Sequence, residues 1–318
     1  MERDLTITSA IRSGNNSSST PLWTVASGKG GVGKTFIASS LAISLVKLGH
    51  KVILIDLDLS GANVHTSLGL SPSFLNIRQY FEGNKELTDL LIPTTVPNLS
   101  YIQGFWDSWI PTEYTKHQIE KIIPDIKKLK ADVVIVDLGA GATEAHLDLF
   151  KASDEKILVS TPEPTSIEKT YRFLEAYICS SIRDNATPEC FADLLSTLRM
   201  HRQRSLTRPF SFKSYLKERD GIVFDYFEQL ASNPVRLIVN QSRSMQNEDL
   251  GHSMKSVARK YYDIAIDYVG AIDYDNAVWQ SAKTKEPVLI AQPFTPLAGQ
   301  FLSTCKHLID HEELRAVV

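Results

Sequence analysis

The sequence predicts an α/β protein built on a doubly wound, mostly parallel sheet with helices on both faces. Short apolar, β-rich runs alternate with longer helical patterns along most of the chain, as repeated βα units require. Several of these runs are apolar on both faces, which is typical of parallel strands covered by helices on each side. The predicted strands are 22–27, 51–58, 99–104, 132–139, 155–161, 235–241 and 264–272, and the predicted helices are 34–48, 113–129, 166–182, 247–261 and 295–310.

We expect one domain over residues 21–318, preceded by a polar arm. Residues 1–20 end in "SGNNSSST" and carry too little apolar surface to pack, which favours a flexible arm. Residues 180–233 contain no convincing strand and are too long for a simple crossover. A helical insertion is therefore expected at 180–233, with its aromatic side chains packed on the core.

The composition is that of an ordinary globular protein. The chain has 318 residues, of which 43% are hydrophobic, and a formal net charge of −3, so nothing favours general binding to nucleic acid or acidic membranes. The three cysteines are scattered and predict neither a disulfide framework nor a Cys-x-x-Cys metal site. No secretory signal and no long apolar run is found. The expected location is cytoplasmic, with peripheral attachment at a membrane or cell pole left open.

A phosphate-binding loop is predicted at residues 28–35, which spell G-x-x-x-x-G-K-T between a strand and a helix. Glycines let successive N–H groups converge on phosphate oxygens, and the helix N-terminus adds its positive dipole end. Lys34 is expected at the β- and γ-phosphates and Thr35 at Mg²⁺. A glycine-rich turn without a ligand is the alternative. The expected nucleotide-binding residues here are Gly28, Lys29, Gly30, Gly31, Val32, Gly33, Lys34, Thr35 and Phe36.

Carboxylates follow two of the predicted strands. Asp137 ends "DVVIVD", and Asp56 and Asp58 end "KVILIDLD". The carboxyl ends of parallel strands form the edge at which ligands bind in such sheets, so Asp137 is expected to hold Mg²⁺. Asp56 and Asp58 are two residues apart, and both can lean toward the γ-phosphate region. Plain solvation of strand ends is the alternative.

Three segments, "KGGVGKT", "DLDLSGANVHTSLG" and "DLGAGA", resemble the deviant Walker A ATPases of the MinD/ParA family, which have the SIMIBI type of P-loop fold. The resemblance covers about 23–182 and resumes over 235–308. It is strongest to the MinD branch, and within it to FlhG-like regulators of flagellar number.

The resemblance implies a slow, partner-stimulated ATPase that uses ATP and Mg²⁺. Such a protein dimerises with ATP sandwiched between the subunits and controls the location or number of a flagellum, pole or division site. Lys29 matches the signature lysine that reaches the partner's phosphates. Lys34 and Asp58 complete the implied catalytic set, in which Asp58 positions the attacking water.

The remaining site residues also follow from the resemblance. Thr35, Asp56 and Asp137 match the Mg²⁺ shell, Gly139 opens the switch II turn, and Asn240 matches an asparagine that commonly recognises adenine. An asparagine that ends a strand is also common without any ligand.

The partner is less well defined by the sequence. An arginine-rich run over 199–213 leaves DNA binding open, although a solvated helix face is the default. The C-terminal helical stripe of Leu297, Phe301, Cys305, Leu308 and Ile309 favours core packing over membrane binding, because its polar face is acidic. The alternatives to a positioning switch are a ParA-like DNA-partitioning ATPase and a metallocluster-carrier ATPase.

Overall fold

The structure is a computed structural model that describes residues 19–58, 61–105, 114–204, 210–243 and 248–316. Most of the predicted arm, residues 1–18, lies outside the described residues, and the division into an arm and one domain stays a prediction. The strands are β1 (Leu22–Ser27), β2 (Val52–Leu57), β3 (Ile92–Pro93), β4 (Leu99–Ile102), β5 (Val133–Ala140), β6 (Glu155–Ser160), β7 (Val235–Ser242) and β8 (Ile266–Asp273).

These strands form one eight-stranded sheet in the order β3-β4-β2-β5-β1-β6-β7-β8. β3 pairs antiparallel with β4, and all other neighbours pair in parallel. The predicted fold class is therefore confirmed. The register sets Asp137 of β5 beside Val25 of β1 on one side and beside Asp56 of β2 on the other. The loop after β1 and the two carboxylates thus meet at one edge of the sheet.

The helices are α1 (Lys34–Lys47), α2 (Val64–Ser67), α3 (Arg78–Phe81), α4 (Lys116–Ile126), α5 (Glu144–Ala152), α6 (Pro164–Arg183), α7 (Pro188–Arg204), α8 (Phe212–Lys217), α9 (Gly221–Ser232), α10 (Glu248–Tyr262), α11 (Asn276–Thr284), α12 (Val288–Ala291) and α13 (Pro296–Ala316). Local sequence sets several starts. Thr115 begins α4 with a capping box to Gln118, and the side chains of Thr143 and Asp220 cap α5 and α9. Each cap satisfies N–H groups that have no partner within the helix.

Apolar layers cover both faces of the sheet. Neighbouring residues of one strand point to opposite layers: Val134 and Val136 belong to one cluster, and Val133 and Ile135 to the other. This alternation explains why the central strands read as continuous apolar runs. In the second layer, α13 packs on α1, where the ring of Phe301 meets that of Phe36 edge to face at 5.4 Å.

The predicted stripe on α13 is part of this second layer. Leu297, Phe301, Cys305 and Leu308 are buried, and the Cys305 thiol donates to the Leu41 carbonyl at 3.7 Å. Among the helices of the described residues, none is long and apolar enough to cross a bilayer.

The segment predicted as a helical insertion forms α7, α8 and α9 in its described part. Phe212, Tyr215 and Phe227 are buried together with Ile178 and Ile182 of α6 in a third apolar cluster. The aromatic residues therefore join the insertion to the α/β core, as predicted. Within the basic run, Arg199 is exposed, Lys213 pairs with Glu228 at 2.7 Å, and residues 205–209 lie outside the described part.

Candidate nucleotide-binding site

A glycine-rich loop joins β1 to α1 at the carboxyl edge of the sheet. Gly31 and Gly33 have φ angles of 81° and 88°, a left-handed conformation that favours glycine. A Cβ on Gly28 would lie 2.0 Å from the carbonyl oxygen of Lys169 in α6, so a side chain there would push the loop off the helix. Gly33 gives α1 no side-chain cap, and the first N–H groups of α1 can therefore serve an anion.

Asp137 lies beneath this loop. The Thr35 hydroxyl donates to Asp137 Oδ2 at 2.6 Å, whereas the buried Oδ1 has no hydrogen-bond partner among the described residues. Burial, followed by the charge of Asp56, raises the pKa of Asp137 well above its usual value. The hydrogen bond from Thr35 and the charge of nearby Lys34 act in the opposite direction.

Asp56 is the second buried carboxylate of the site and is 1% exposed. It accepts from the N–H groups of Asp58 and Val64, both at 3.1 Å. Burial raises its pKa to about 7 in spite of these hydrogen bonds. Asp56 and Asp137 are paired residues on adjacent strands, so their ionised forms repel in the absence of a cation.

These groups fit a magnesium ion, because Mg²⁺ prefers hard oxygen donors and usually takes few ligands from protein and the rest from phosphate and water. Thr35 offers a hydroxyl, Asp137 an unused carboxylate oxygen, and Asp56 a neighbouring negative charge. The described residues contain no group of three or more His, Cys, Asp or Glu arranged to hold a metal. Phosphate and water would therefore have to supply the other ligands.

Asp58 lies next to the end of β5, at Gly139. A Cβ placed on Gly139 would be 3.2 Å from Asp58 Oδ1 and 2.8 Å from both Cε1 and Nε2 of His146. His146 is in the first turn of α5, and its Nδ1 is 3.0 Å from the Gly141 carbonyl oxygen. The sequence motifs do not single out His146; the signal available was a polar ring one turn into the helix that follows "DLGAGA".

Tyr114 is another residue that the motifs miss. Its hydroxyl is buried and has no hydrogen-bond partner among the described residues. Burial raises the pKa of Tyr114 well above its usual value, and the charges of Asp56 and Asp58 raise it further. A neutral phenol therefore lies near the two acidic side chains.

Lys29 is engaged within its own chain. Its ammonium forms an ion pair with the carboxylate of Glu163, the residue just before α6. The side chains of Lys29 and Glu163 are 35% and 57% exposed, whereas Lys34 is buried, with 7% of its surface exposed. The two lysines of the loop thus have different environments, and the sequence did not predict Glu163 as a partner.

The end of β7 braces the loop from its other side. The amide Nδ2 of Asn240 donates to the Val32 carbonyl at 2.8 Å, and it would lie 2.4 Å from a Cβ on Gly33. Asn240 is buried, with 3% of its surface exposed, and its side chain supports the loop in this structure. Its recognition of adenine stays a prediction. The ring of Phe36 packs into the α1–α13 layer, and its part in nucleotide binding stays a prediction.

A left-handed glycine loop after β1, a buried lysine and a partly buried threonine at the start of α1, and two carboxylates on adjacent strands define a P-loop nucleotide-binding protein. The chain belongs to the ParA family of P-loop NTPases: the family model described as the NUBPL iron-transfer P-loop NTPase matches residues 20–182.

Among curated proteins, the chain is 28% identical to the antiactivator FleN of Pseudomonas aeruginosa over 273 residues, which is 85% of this chain and 79% of FleN. It is 30% identical to the flagellum site-determining protein YlxH of Helicobacter pylori over 179 residues, or 56% of this chain and 58% of YlxH. Among solved structures, the septum site-determining protein MinD from Pyrococcus horikoshii, complexed with Mg-ADP, aligns with a TM-score of 0.63 at 19% identity. That alignment covers 91% of this chain and 96% of MinD and supports the fold.

The three cysteines do not lie together at the carboxyl edge of the sheet, where the glycine-rich loop is. Cys179 is in α6 and Cys190 in α7, both partly buried, and Cys305 of α13 is buried. Burial raises the pKa of the Cys305 thiol above its usual range, so that thiol stays protonated in the apolar layer. A carrier that binds a metal cluster through cysteines at a dimer interface requires a different placement.

Proposed function

We propose that the chain is an ATP-dependent molecular switch, which binds and hydrolyses ATP with Mg²⁺ and dimerises when two loaded chains meet. The observation that carries the proposal is the contrast between two lysines of one loop. Lys34 is buried beside Asp137, whereas Lys29 is half-exposed and held by Glu163. One cation serves the chain's own nucleotide, and the other can be exchanged between partners.

Binding of the nucleotide follows from the loop. The backbone N–H groups of residues 28–35 and the N-terminus of α1 hold the phosphates, and Lys34 neutralises charge on the β- and γ-phosphates. Thr35 and Asp137 would hold Mg²⁺, with Asp56 beside them. When bound, Mg²⁺ would act as a Lewis acid that offsets negative charge on the phosphates.

Hydrolysis needs a water molecule positioned for attack, and we assign the positioning of this water to Asp58. Its backbone N–H is fixed by Asp56 Oδ1 at 3.1 Å, and its side-chain Oδ1 lies against the switch II turn near Gly139. Asp58 can accept a hydrogen bond from the water and orient it toward the γ-phosphate.

Dimerisation follows from Lys29. Two nucleotides that face each other carry net negative charge, and a lysine from each chain offsets the repulsion only when both sites are loaded. The exposed ion pair with Glu163 contributes little free energy, so phosphate oxygens of the partner's nucleotide can replace it. Loss of the γ-phosphate removes the gain and releases the dimer.

The cellular role is supported by the relatives. YlxH is named as a flagellum site-determining protein and MinD as a septum site-determining protein, and FleN is named as an antiactivator. We therefore propose that the switch regulates the position or number of such a structure, through a protein partner. DNA partitioning is the second candidate, because Arg199 is exposed and a putative plasmid partition protein from Borrelia burgdorferi, bound to AMPPNP, shares the fold at a TM-score of 0.56.

The test compares single lysine variants. Lys34→Ala should abolish binding of a fluorescent ATP analogue, whereas Lys29→Ala should retain binding but lose the ATP-dependent dimer in size-exclusion light scattering. Lys116→Ala, on the exposed face of α4, is the matched control and should behave as wild type. A Lys29→Ala chain that still doubles its mass with ATP would refute the switch. Co-sedimentation with DNA, with and without ATP, separates the second candidate.

A further inference from the structure

His146 lies in the first turn of α5 and is held there by two hydrogen bonds. Its backbone N–H donates to Thr143 Oγ1 at 3.3 Å, and its ring Nδ1 is 3.0 Å from the Gly141 carbonyl oxygen. The main chain and the imidazole are thus both held, one by the helix cap and the other by the turn. A residue whose main chain and ring are both held is preorganised, and little conformational entropy remains to be lost when a ligand binds.

The contact with Gly141 fixes the protonation of one ring nitrogen. A carbonyl oxygen accepts hydrogen bonds and never donates them, so Nδ1 carries a proton. Nε2 and Cε1 lie on the ring edge that points away from Gly141, toward Gly139 and Asp58.

That edge and the Asp58 carboxylate converge on one place. Nε2 of His146 is 2.8 Å, and Oδ1 of Asp58 is 3.2 Å, from the point that a Cβ on Gly139 would occupy. Gly139 has no side chain, and the two groups fill the space that one would take. His146 therefore touches the turn at Gly141 and approaches Asp58 across Gly139.

We propose that His146 is a positioning residue for ATP hydrolysis, which sets the distance between the switch II turn and Asp58. The inference rests on the proposed function, because it assigns His146 a part in the same reaction. The two segments that must surround the γ-phosphate come from different strands, β2 and β5, and the imidazole lies beside Gly139, where Asp58 also approaches β5. A misplacement of about 1 Å can lower a rate by roughly 100-fold, so a small shift of Asp58 has a measurable effect.

The experiment uses the full chain and measures kcat and KM for ATP from the release of labelled phosphate from ATP. His146→Ala should lower kcat by roughly 10- to 100-fold, with KM within about threefold. His146→Asn keeps an amide donor near the position of Nδ1 and should recover part of kcat. His117→Asn, at an exposed site of α4, is the matched control and should leave kcat unchanged.

A double-mutant cycle tests whether His146 acts through Asp58. If it does, His146→Ala has no further effect on kcat in an Asp58→Ala chain, and the losses are not additive. Additive losses, an unchanged kcat in His146→Ala, or a loss that appears in KM alone would overturn the inference. A lowered melting temperature in His146→Ala that His146→Asn restores without restoring kcat would also overturn it.

The failure of the proposed function looks different. A wild-type chain that binds ATP without releasing phosphate refutes the hydrolytic switch and, with it, this inference. A wild-type chain that hydrolyses ATP while His146→Ala keeps the same kcat refutes the inference alone.

Discussion

Replacing Glu163 with glutamine tests the proposed exchange of Lys29 between two partners. The substitution removes the negative charge that holds Lys29 in the single chain and preserves the size of the side chain. Because Lys29 must leave Glu163 before it can reach a second nucleotide, Glu163→Gln should strengthen the ATP-dependent dimer.

The exposure of the pair sets the magnitude. The two side chains are 35% and 57% exposed, and ion pairs in such positions contribute about 0.2–1 kcal/mol after solvent screening. Formation of the dimer breaks two of these pairs. The variant therefore lowers the free-energy cost of dimerisation by about 0.4–2 kcal/mol relative to the wild type. Since 1.4 kcal/mol corresponds to a factor of ten, the dimer Kd should fall by roughly 2- to 25-fold.

Sedimentation velocity over a range of chain concentrations, with a non-hydrolysable ATP analogue, measures this Kd. Glu168→Gln is the matched control. Glu168 pairs with Arg172 on the exposed face of α6, the helix that begins just after Glu163, and its replacement changes the net charge by the same amount. A Glu163→Gln dimer no tighter than the Glu168→Gln dimer would refute the competition between Glu163 and the partner. A weaker dimer would mean that Glu163 makes an attractive contact in the dimer.

Other substitutions test the site. Asp56 has a pKa of about 7, above that of an unfolded chain, so its contribution to stability is complete below about pH 4 and is lost as pH rises through 7. Asp56→Asn should therefore raise the melting temperature of the nucleotide-free protein at pH 8 and leave it nearly unchanged at pH 4.5. Gly28→Ala should abolish binding of a fluorescent ATP analogue, because its Cβ would meet the Lys169 backbone at 2.0 Å. Gly139→Ala should lower kcat in the wild type, since its Cβ would collide with His146 at 2.8 Å, and much less in a His146→Ala chain.

The fold was predictable where one pattern dominates. The central strands are apolar on both faces, and their predicted bounds agree with β1, β2 and β5 within two residues. β3 was missed because it has two residues and ends in Pro93, so no period can be read from it. The nine-residue α5 was missed because it is short and follows a glycine turn, and its start depends on the cap at Thr143.

The site was predictable to the extent that topology determines it. Strand ends in a parallel sheet share one edge, so Asp56 and Asp137 had to lie near the loop, and the register places them side by side. Partners from distant segments could not be predicted in the same way. Lys29 meets Glu163 across 134 positions of sequence, and an asparagine such as Asn240 has several acceptors within reach, of which the structure shows Val32.

Two lysines in one loop do not duplicate each other, because the surrounding charge differs. Lys34 is buried next to the carboxylate of Asp137, where an ammonium without a counter-charge would be costly, so it stays with its own chain. Lys29 is at the surface, and solvent screens its pair with Glu163. The free energy that holds Lys29 is therefore small, as the proposed exchange with a partner's nucleotide requires. The proposed switch requires this difference between the two lysines. Lys34 would hold the chain's own nucleotide, and Lys29 would contact the nucleotide of the partner.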